Sequence, residues 1–274
     1  MFQAGCLFIS LLVGSIGLPL SGGYTSGYFG DIKARVINGY DASPVPHMVA
    51  LTVGEQSKSL VCGASLITKR HVLTAAHCID AFIDKGKLSR SLTGIVGTND
   101  WNKGGTHYTF SGNITHPEWD SKMVNNDIGI LITSQPVTLN KYVQIITLNF
   151  QFIAGNVAAI INGWGQFEKE SKRPSHGLKE LKLYTLDGSA CTSRLRRRKT
   201  NFILNSTLQI STITQKNYGA GPGDSGSPLI LRDNRQQIGV VSWGVNPSAS
   251  GYPDVYGRIS AYKSWIKQSV RLRI

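Results

Sequence analysis

Short apolar runs separated by turn signals dominate this chain. The runs at 47–53, 71–74, 91–96, 106–110, 128–132, 157–161, 239–242 and 254–258 have strand length, and Gly, Pro, Asn, Asp or Ser commonly punctuate the gaps. No long stretch repeats apolar residues at helical spacing. The exception is short and terminal: Ala261, Tyr262, Trp265 and Ile266 fall on one helical face over 260–267, with Ser260 as an N-cap candidate. The pattern predicts an all-β sandwich or barrel closed by a short C-terminal α-helix.

The first residues break this pattern. Segment 1–17 is apolar and uncharged, too short to span a bilayer, and ends near the small residues Ser15 and Gly17. It reads as a signal peptide, which implies a secreted, extracellular protein. Segment 18–35 is rich in Gly, Ser and Tyr, lacks periodicity and ends in the single base Arg35. The 274-residue length exceeds a typical single-domain prior but suits a large all-β enzyme, and a hydrophobic content of 41% is ordinary for a globular protein.

The chemistry lies in three places. Gly221, Pro222, Gly223, Asp224, Ser225, Gly226, Ser227 and Pro228 set one serine among glycines in a segment that must bend sharply. Thr74, Ala75, Ala76, His77 and Cys78 supply a histidine; Asn126, Asp127, Ile128 and Gly129 supply an aspartate. Taken singly, the histidine is an ordinary core or surface residue and the glycine-rich run an ordinary turn. Together they give His, Asp and Ser in one of the chain orders used by catalytic triads. A serine hydroxyl needs a neighbouring base, and the base needs a third group to fix its tautomer. Ser225 suits the nucleophile, His77 the general base and Asp127 the orienting carboxylate. The N–H groups of Gly223 and Ser225 suit an oxyanion hole.

On these residues the chain resembles the chymotrypsin-fold serine endopeptidases, and among them secreted arthropod digestive enzymes. The likeness runs from 36 to about 270 and includes Val36-Ile37-Asn38-Gly39, Gly163-Trp164-Gly165, Ser242-Trp243-Gly244 and Tyr252-Pro253-Asp254-Val255-Tyr256. It implies two six-stranded antiparallel β-barrels joined near 149–156, within a peptidase domain spanning 36–274. It also implies that 18–35 is an activation propeptide, cut after Arg35 by a trypsin-like protease. The freed Val36 amine would pair with Asp224 and order the neighbouring loop. Protein or peptide substrates and protein protease inhibitors are the implied partners. A monomer without cofactor or metal is expected. A homologue with weak or no catalysis, acting as a binding or regulatory protein, is the rival.

The pocket departs from the common pattern. Gly219, six residues before Ser225, takes the floor position, where a trypsin-like enzyme carries aspartate. Gly244 leaves the mouth open, and Asp254 falls at a wall position that is usually glycine. A Gly floor with a wall Asp resembles arthropod serine collagenases and some insect chymotrypsins. Two readings of Asp254 stand side by side: a carboxylate that meets basic substrate side chains, and a structural loop aspartate. The resemblance implies chymotrypsin-like or broad specificity, with backbone groups of Ser242 and Gly244 pairing with extended substrate. Pro222, before Gly223, is unusual and reshapes the expected pocket rim.

Of the four cysteines, Cys6 belongs to the leader, and Cys62 and Cys78 are the expected disulfide. Cys191 is left as a buried thiol or an intermolecular partner. Gly221 and Ser248 stand where relatives carry a pocket-spanning disulfide. Net charge is +13; Lys33 and Arg35 against Asp31 account for one unit in 1–35, leaving +12 in the mature chain. Arg194, Arg196, Arg197, Arg198 and Lys199 concentrate much of it and read as a solvated loop. No aromatic residues interleave with them, so neither nucleic acid nor membrane is an expected partner. Asn113 and Asn205 head glycosylation sequons.

Overall fold

The computed structural model describes residues 35–37, 39–54, 57–165, 174–197, 203–213, 218–221, 223–245 and 251–271. The leader at 1–17, most of the propeptide, Pro222, Arg198, Lys199 and Ser248 lie outside the described residues.

Six antiparallel strands form a first closed barrel: β1 (Met48–Val53), β2 (Ser59–Leu66), β3 (His71–Thr74), β4 (Leu92–Val96), β5 (Thr106–Thr115) and β6 (Gly129–Thr133). Around the barrel they run β6-β3-β2-β1-β4-β5, and β5 closes on β6. Six more build the second: β7 (Ala158–Gly163), β8 (Lys179–Leu186), β9 (Gln209–Ile213), β10 (Pro228–Leu231), β11 (Gln237–Gly244) and β12 (Asp254–Arg258). Their order is β7-β10-β11-β12-β9-β8, and pairing of β7 with β8 closes the ring. The expected all-β class and paired barrels are present, and closure removes the exposed edges that an open sheet would present.

Burial follows the sequence pattern. Leu51, Leu66, Leu73, Ile128, Ile130 and Leu131 are buried in one apolar cluster built on the strands of the first barrel, and Ile161, Leu183, Leu229, Val241 and Tyr256 in a second built on the other. Chemistry-bearing segments hang between these rigid walls. The chain crosses from one barrel to the other between Thr133 and Ala158.

Three α-helices complete the described fold. The helix α1 (Ala76–Asp80) follows β3 directly, α2 (Gly188–Arg197) follows β8, and α3 (Lys263–Ser269) is the last described element, behind a 3-10 turn at Ile259–Tyr262. Ser260 therefore lies inside that turn and does not cap α3; Tyr262 occupies the cap position without a side-chain bond. The expectation of a loop for the basic run is overturned up to Arg197, where the residues are helical. The cause is a narrow apolar stripe: Cys191 and Leu195, four residues apart, are buried against Val124, Leu204, Trp243 and Val255.

Candidate active site

His77 sits in the first turn of α1, just past the fully buried strand β3. A disulfide between Cys62 on β2 and Cys78 anchors this helix to the barrel wall. Asp127 comes from the loop between β5 and β6, two residues before β6 begins. The loop holds Val124 and Asn126 at φ of 51° and 55°, backbone values that are costly for a β-branched residue. Local bonds restrain it: Asp120 and Asn125 exchange backbone hydrogen bonds, and Asn126 Nδ2 donates to the carbonyl of Glu118.

The two side chains meet. His77 Nδ1 lies 2.8 Å from Asp127 Oδ2, and the His77 backbone N–H donates to Asp127 Oδ1 at 3.0 Å. Asp127 is almost wholly buried, whereas the His77 side chain keeps 30% of its surface exposed, so an incoming molecule can reach the ring. A further contact comes from the second barrel and has no signal in the sequence: Ser242 Oγ donates to Asp127 Oδ2 at 2.6 Å. Ser242 is 115 residues from Asp127 in sequence, a distance no local pattern bridges.

These contacts set the charges. Burial alone opposes the imidazolium, but the Asp127 carboxylate and its hydrogen bond, aided by Asp80, hold the His77 pKa above its usual value. Burial likewise opposes the Asp127 anion, and His77 with Ser242 overcomes it, keeping that carboxyl below its usual range. The net result is a charged carboxylate fixed against one imidazole nitrogen, which leaves the other nitrogen outside that bond.

Ser225 lies in the turn between the short strand Gly219–Gly221 and β10. Gly223 takes φ of 94°, which a side chain rarely tolerates, and a Cβ there would press on Gly165. The turn is pinned on both sides: Ser225 accepts the Gly63 N–H of the first barrel at 2.8 Å, and Gly226 donates to Val241 of the second. The N–H groups of Asp224, Gly226 and Ser227 all have backbone acceptors. Those of Gly223 and Ser225 have none among the described residues. No hydrogen bond joins Ser225 Oγ to His77 Nε2 in this structure, where Cys78 Sγ lies 3.6 Å from that nitrogen.

Asp224 is fully buried and accepts the N–H of Gly165 at 2.8 Å and of Gly221 at 2.7 Å. A side chain at Gly163 or Gly165 would collide with its carboxylate. Backbone from Arg35–Ile37 pairs antiparallel with Gly219–Gly221, setting Val36 opposite Ala220.

The expected pocket residues also come together. Gly244 and Asp254 are direct cross-strand partners on β11 and β12. Asp254 Oδ2 accepts the Ala220 N–H at 3.0 Å, next to Gly219. Any side chain at Gly244 would press on Asp254 Oδ1. Burial pushes the Asp254 pKa up to about 7; the Asp224 carboxylate adds to the rise and the Ala220 N–H opposes it. On β11, the register with β10 ends at Val240, before Ser242 and Gly244.

The remaining expected sites lie elsewhere. Cys191 is buried and free, and burial raises its pKa, so its thiol stays protonated. Asn205 is exposed and caps a turn with Thr207 and Leu208, while Asn113 is half-buried within β5. Among the described residues, Cys62, His77 and Cys78 form the one cluster with metal-ligand spacing, and the disulfide removes both sulfurs from that chemistry. No described helix is long and apolar enough to cross a membrane.

Comparison with known proteins agrees with this geometry. The family model described as Trypsin matches residues 36–266. Trypsin I-P1 of Gallus gallus is 30% identical over 242 residues, covering 86% of this chain and 89% of its own. Serine protease 1 of Canis lupus familiaris is 27% identical over 96% of this chain and 97% of its own. Trypsin of the insect Sarcophaga bullata is 27% identical over 88% and 91%. The chain belongs to the trypsin family of chymotrypsin-fold serine endopeptidases.

Proposed function

We propose that this protein is a secreted zymogen that becomes an endopeptidase after cleavage between Arg35 and Val36. Ser225 attacks the scissile carbonyl carbon as His77 Nε2 takes its proton. Asp127 holds the imidazole in the tautomer that leaves Nε2 free and stabilises the cation that forms. The tetrahedral oxyanion is received by the N–H groups of Gly223 and Ser225, and collapse expels the amine with the proton from His77. Water then repeats the sequence on the acyl-enzyme and releases Ser225. Two observations support this reading: the N–H groups of Gly223 and Ser225 lack acceptors among the described residues, and a buried carboxylate orients His77.

Gly219, Gly244 and Asp254 shape the primary specificity pocket, and the 242–244 edge takes the substrate backbone by strand addition. An open pocket with one carboxylate of raised pKa on its wall suits bulky apolar side chains and tolerates basic ones. This differs from a trypsin with a floor aspartate, although several relatives carry that name.

Labelling the Arg35-cleaved protein with an organophosphonate tests the chemistry. Covalent modification at Ser225, lost in Ser225→Ala and in His77→Ala, is the expected result. A folded, processed sample that stays unlabelled and hydrolyses no peptide contradicts the enzyme and favours the binding homologue.

A further inference from the structure

The helix α2 carries a polar face that catalysis does not use. Ser189, Thr192, Ser193, Arg196 and Arg197 follow the i, i+3, i+4, i+7, i+8 spacing of one helical face, opposite the buried Cys191 and Leu195. With Ser206 from the next segment they line a cleft of about 480 Å³. Four hydroxyls and two guanidinium groups contribute to the lining, the arginines from the last turn of α2. Among the described residues no carboxylate lines it. The nearest acid in sequence, Asp187, is engaged with the Gly155 N–H at 2.9 Å. Among the described residues neither Arg196 nor Arg197 has an acidic partner within ion-pair distance.

We infer that this cleft is a docking site for a sulfated polysaccharide, separate from the peptide-cleaving centre. Guanidinium groups meet sulfate oxygens through paired charge-assisted hydrogen bonds. Ser and Thr hydroxyls match sugar hydroxyls as both donors and acceptors. Among the described residues no aromatic side chain lines the cleft, which argues against nucleic acid, whose bases need stacking partners. A helical face offers no strand edge, which argues against an extended acidic peptide. The net charge of +13 adds long-range attraction for any polyanion, and the cleft gives that attraction a location.

The test uses the full processed enzyme and heparin oligosaccharides at physiological ionic strength. Wild type is expected to bind, and the double substitution Arg196→Ser with Arg197→Ser is expected to weaken binding by about tenfold to a hundredfold. Its kcat/KM on a small peptide substrate should not change. A control that removes equal charge at the exposed Lys87 and Arg90 should weaken heparin binding far less. Ser193→Trp, which fills the cleft without altering charge, should also release the sugar. Equal losses in the control and the α2 variant overturn the site in favour of diffuse charge attraction. Undiminished binding by Ser193→Trp overturns the cleft, and tighter binding of polyglutamate or single-stranded DNA overturns the polysaccharide.

Discussion

Asp254 joins two properties that a pocket residue rarely combines: near-complete burial and a pKa close to neutrality. If Asp254 lines the substrate pocket as proposed, that pocket would be an uncharged slot favouring apolar side chains below about 7, and would hold an anion rewarding Lys or Arg above it. The ratio of kcat/KM for a Lys substrate to that for a Phe substrate should therefore rise with pH, by about tenfold per unit below the titration point. Taking a ratio cancels the ionisation of His77, which affects both substrates. Asp254→Asn should flatten the ratio; a wild-type ratio that ignores pH between 5 and 9 contradicts the assignment. The same raised pKa has a stability consequence. The folded protein holds this proton more tightly than the unfolded chain, so Asp254 removes stability as pH rises from about 4 towards about 7. His77 sets a second limit. Its raised pKa keeps the base protonated to higher pH, so kcat/KM on any one substrate should fall as pH drops through a value above 6.5. Asp127→Asn leaves the ring without a carboxylate to fix its tautomer and should lower kcat by about 10⁴.

Elements were legible where pattern and packing agreed. The runs at 71–74 and 254–258 coincide with β3 and β12, whose residues are all buried. Strand β2 was harder to read, because Cys62, Gly63, Ala64 and Ser65 give no apolar alternation; a Cβ at Gly63 would meet Ser227, so the second barrel dictates that composition. The helix α2 escaped for a related reason. Its sequence opens on Gly and Ser and supplies only Cys191 and Leu195 to the core, too few for periodicity to stand out. The flanking runs of His77, Asp127 and Ser225 singled them out in the sequence, and the first two meet in the structure, whereas the bond from Ser242 to Asp127 arises only when two barrels meet. The same helix offers a stability test. Ser211 on β9, twenty residues away in sequence, neighbours the Cys191 thiol and lowers its pKa against the effect of burial, while its hydroxyl donates to the Leu186 carbonyl at 3.2 Å. Ser211→Cys should close a disulfide that ties α2 to the second barrel and adds about 3 kcal/mol. Thiol titration of the mature variant checks closure: no free thiol is expected, against one in the parent. Two free thiols and an unchanged Tm would mean that the backbones stand too far apart to be bridged.

At the scale of the whole molecule, activity depends on a few groups that connect otherwise separate parts. The turn carrying Ser225 is held to the first barrel through Gly63, to the second through Val241, and to Gly165 through Asp224. Strand Arg35–Ile37 pairs with Gly219–Gly221, which enters that turn and sits beside the pocket aspartate. Cleavage after Arg35 would create a cationic amine at Val36, opposite Ala220 and near a buried carboxylate. A buried charge gains most from an opposite charge at close range, so Asp224 is the natural partner. The amine would draw the turn into the arrangement in which the Gly223 and Ser225 N–H groups point at the oxyanion. Arg35→Gln should therefore give an intact, folded protein with activity lower by more than about a hundredfold, the loss expected when an oxyanion donor is misplaced. Asp224→Asn, cleaved normally, should fall by a similar factor, because the amine then has no anion to meet. N-terminal sequencing identifies the cut, and thermal unfolding separates loss of order in the turn from loss of the fold. Full activity in uncut protein would remove Val36 from the mechanism. Full activity in cleaved Asp224→Asn would remove the ion pair while leaving the cleavage step intact.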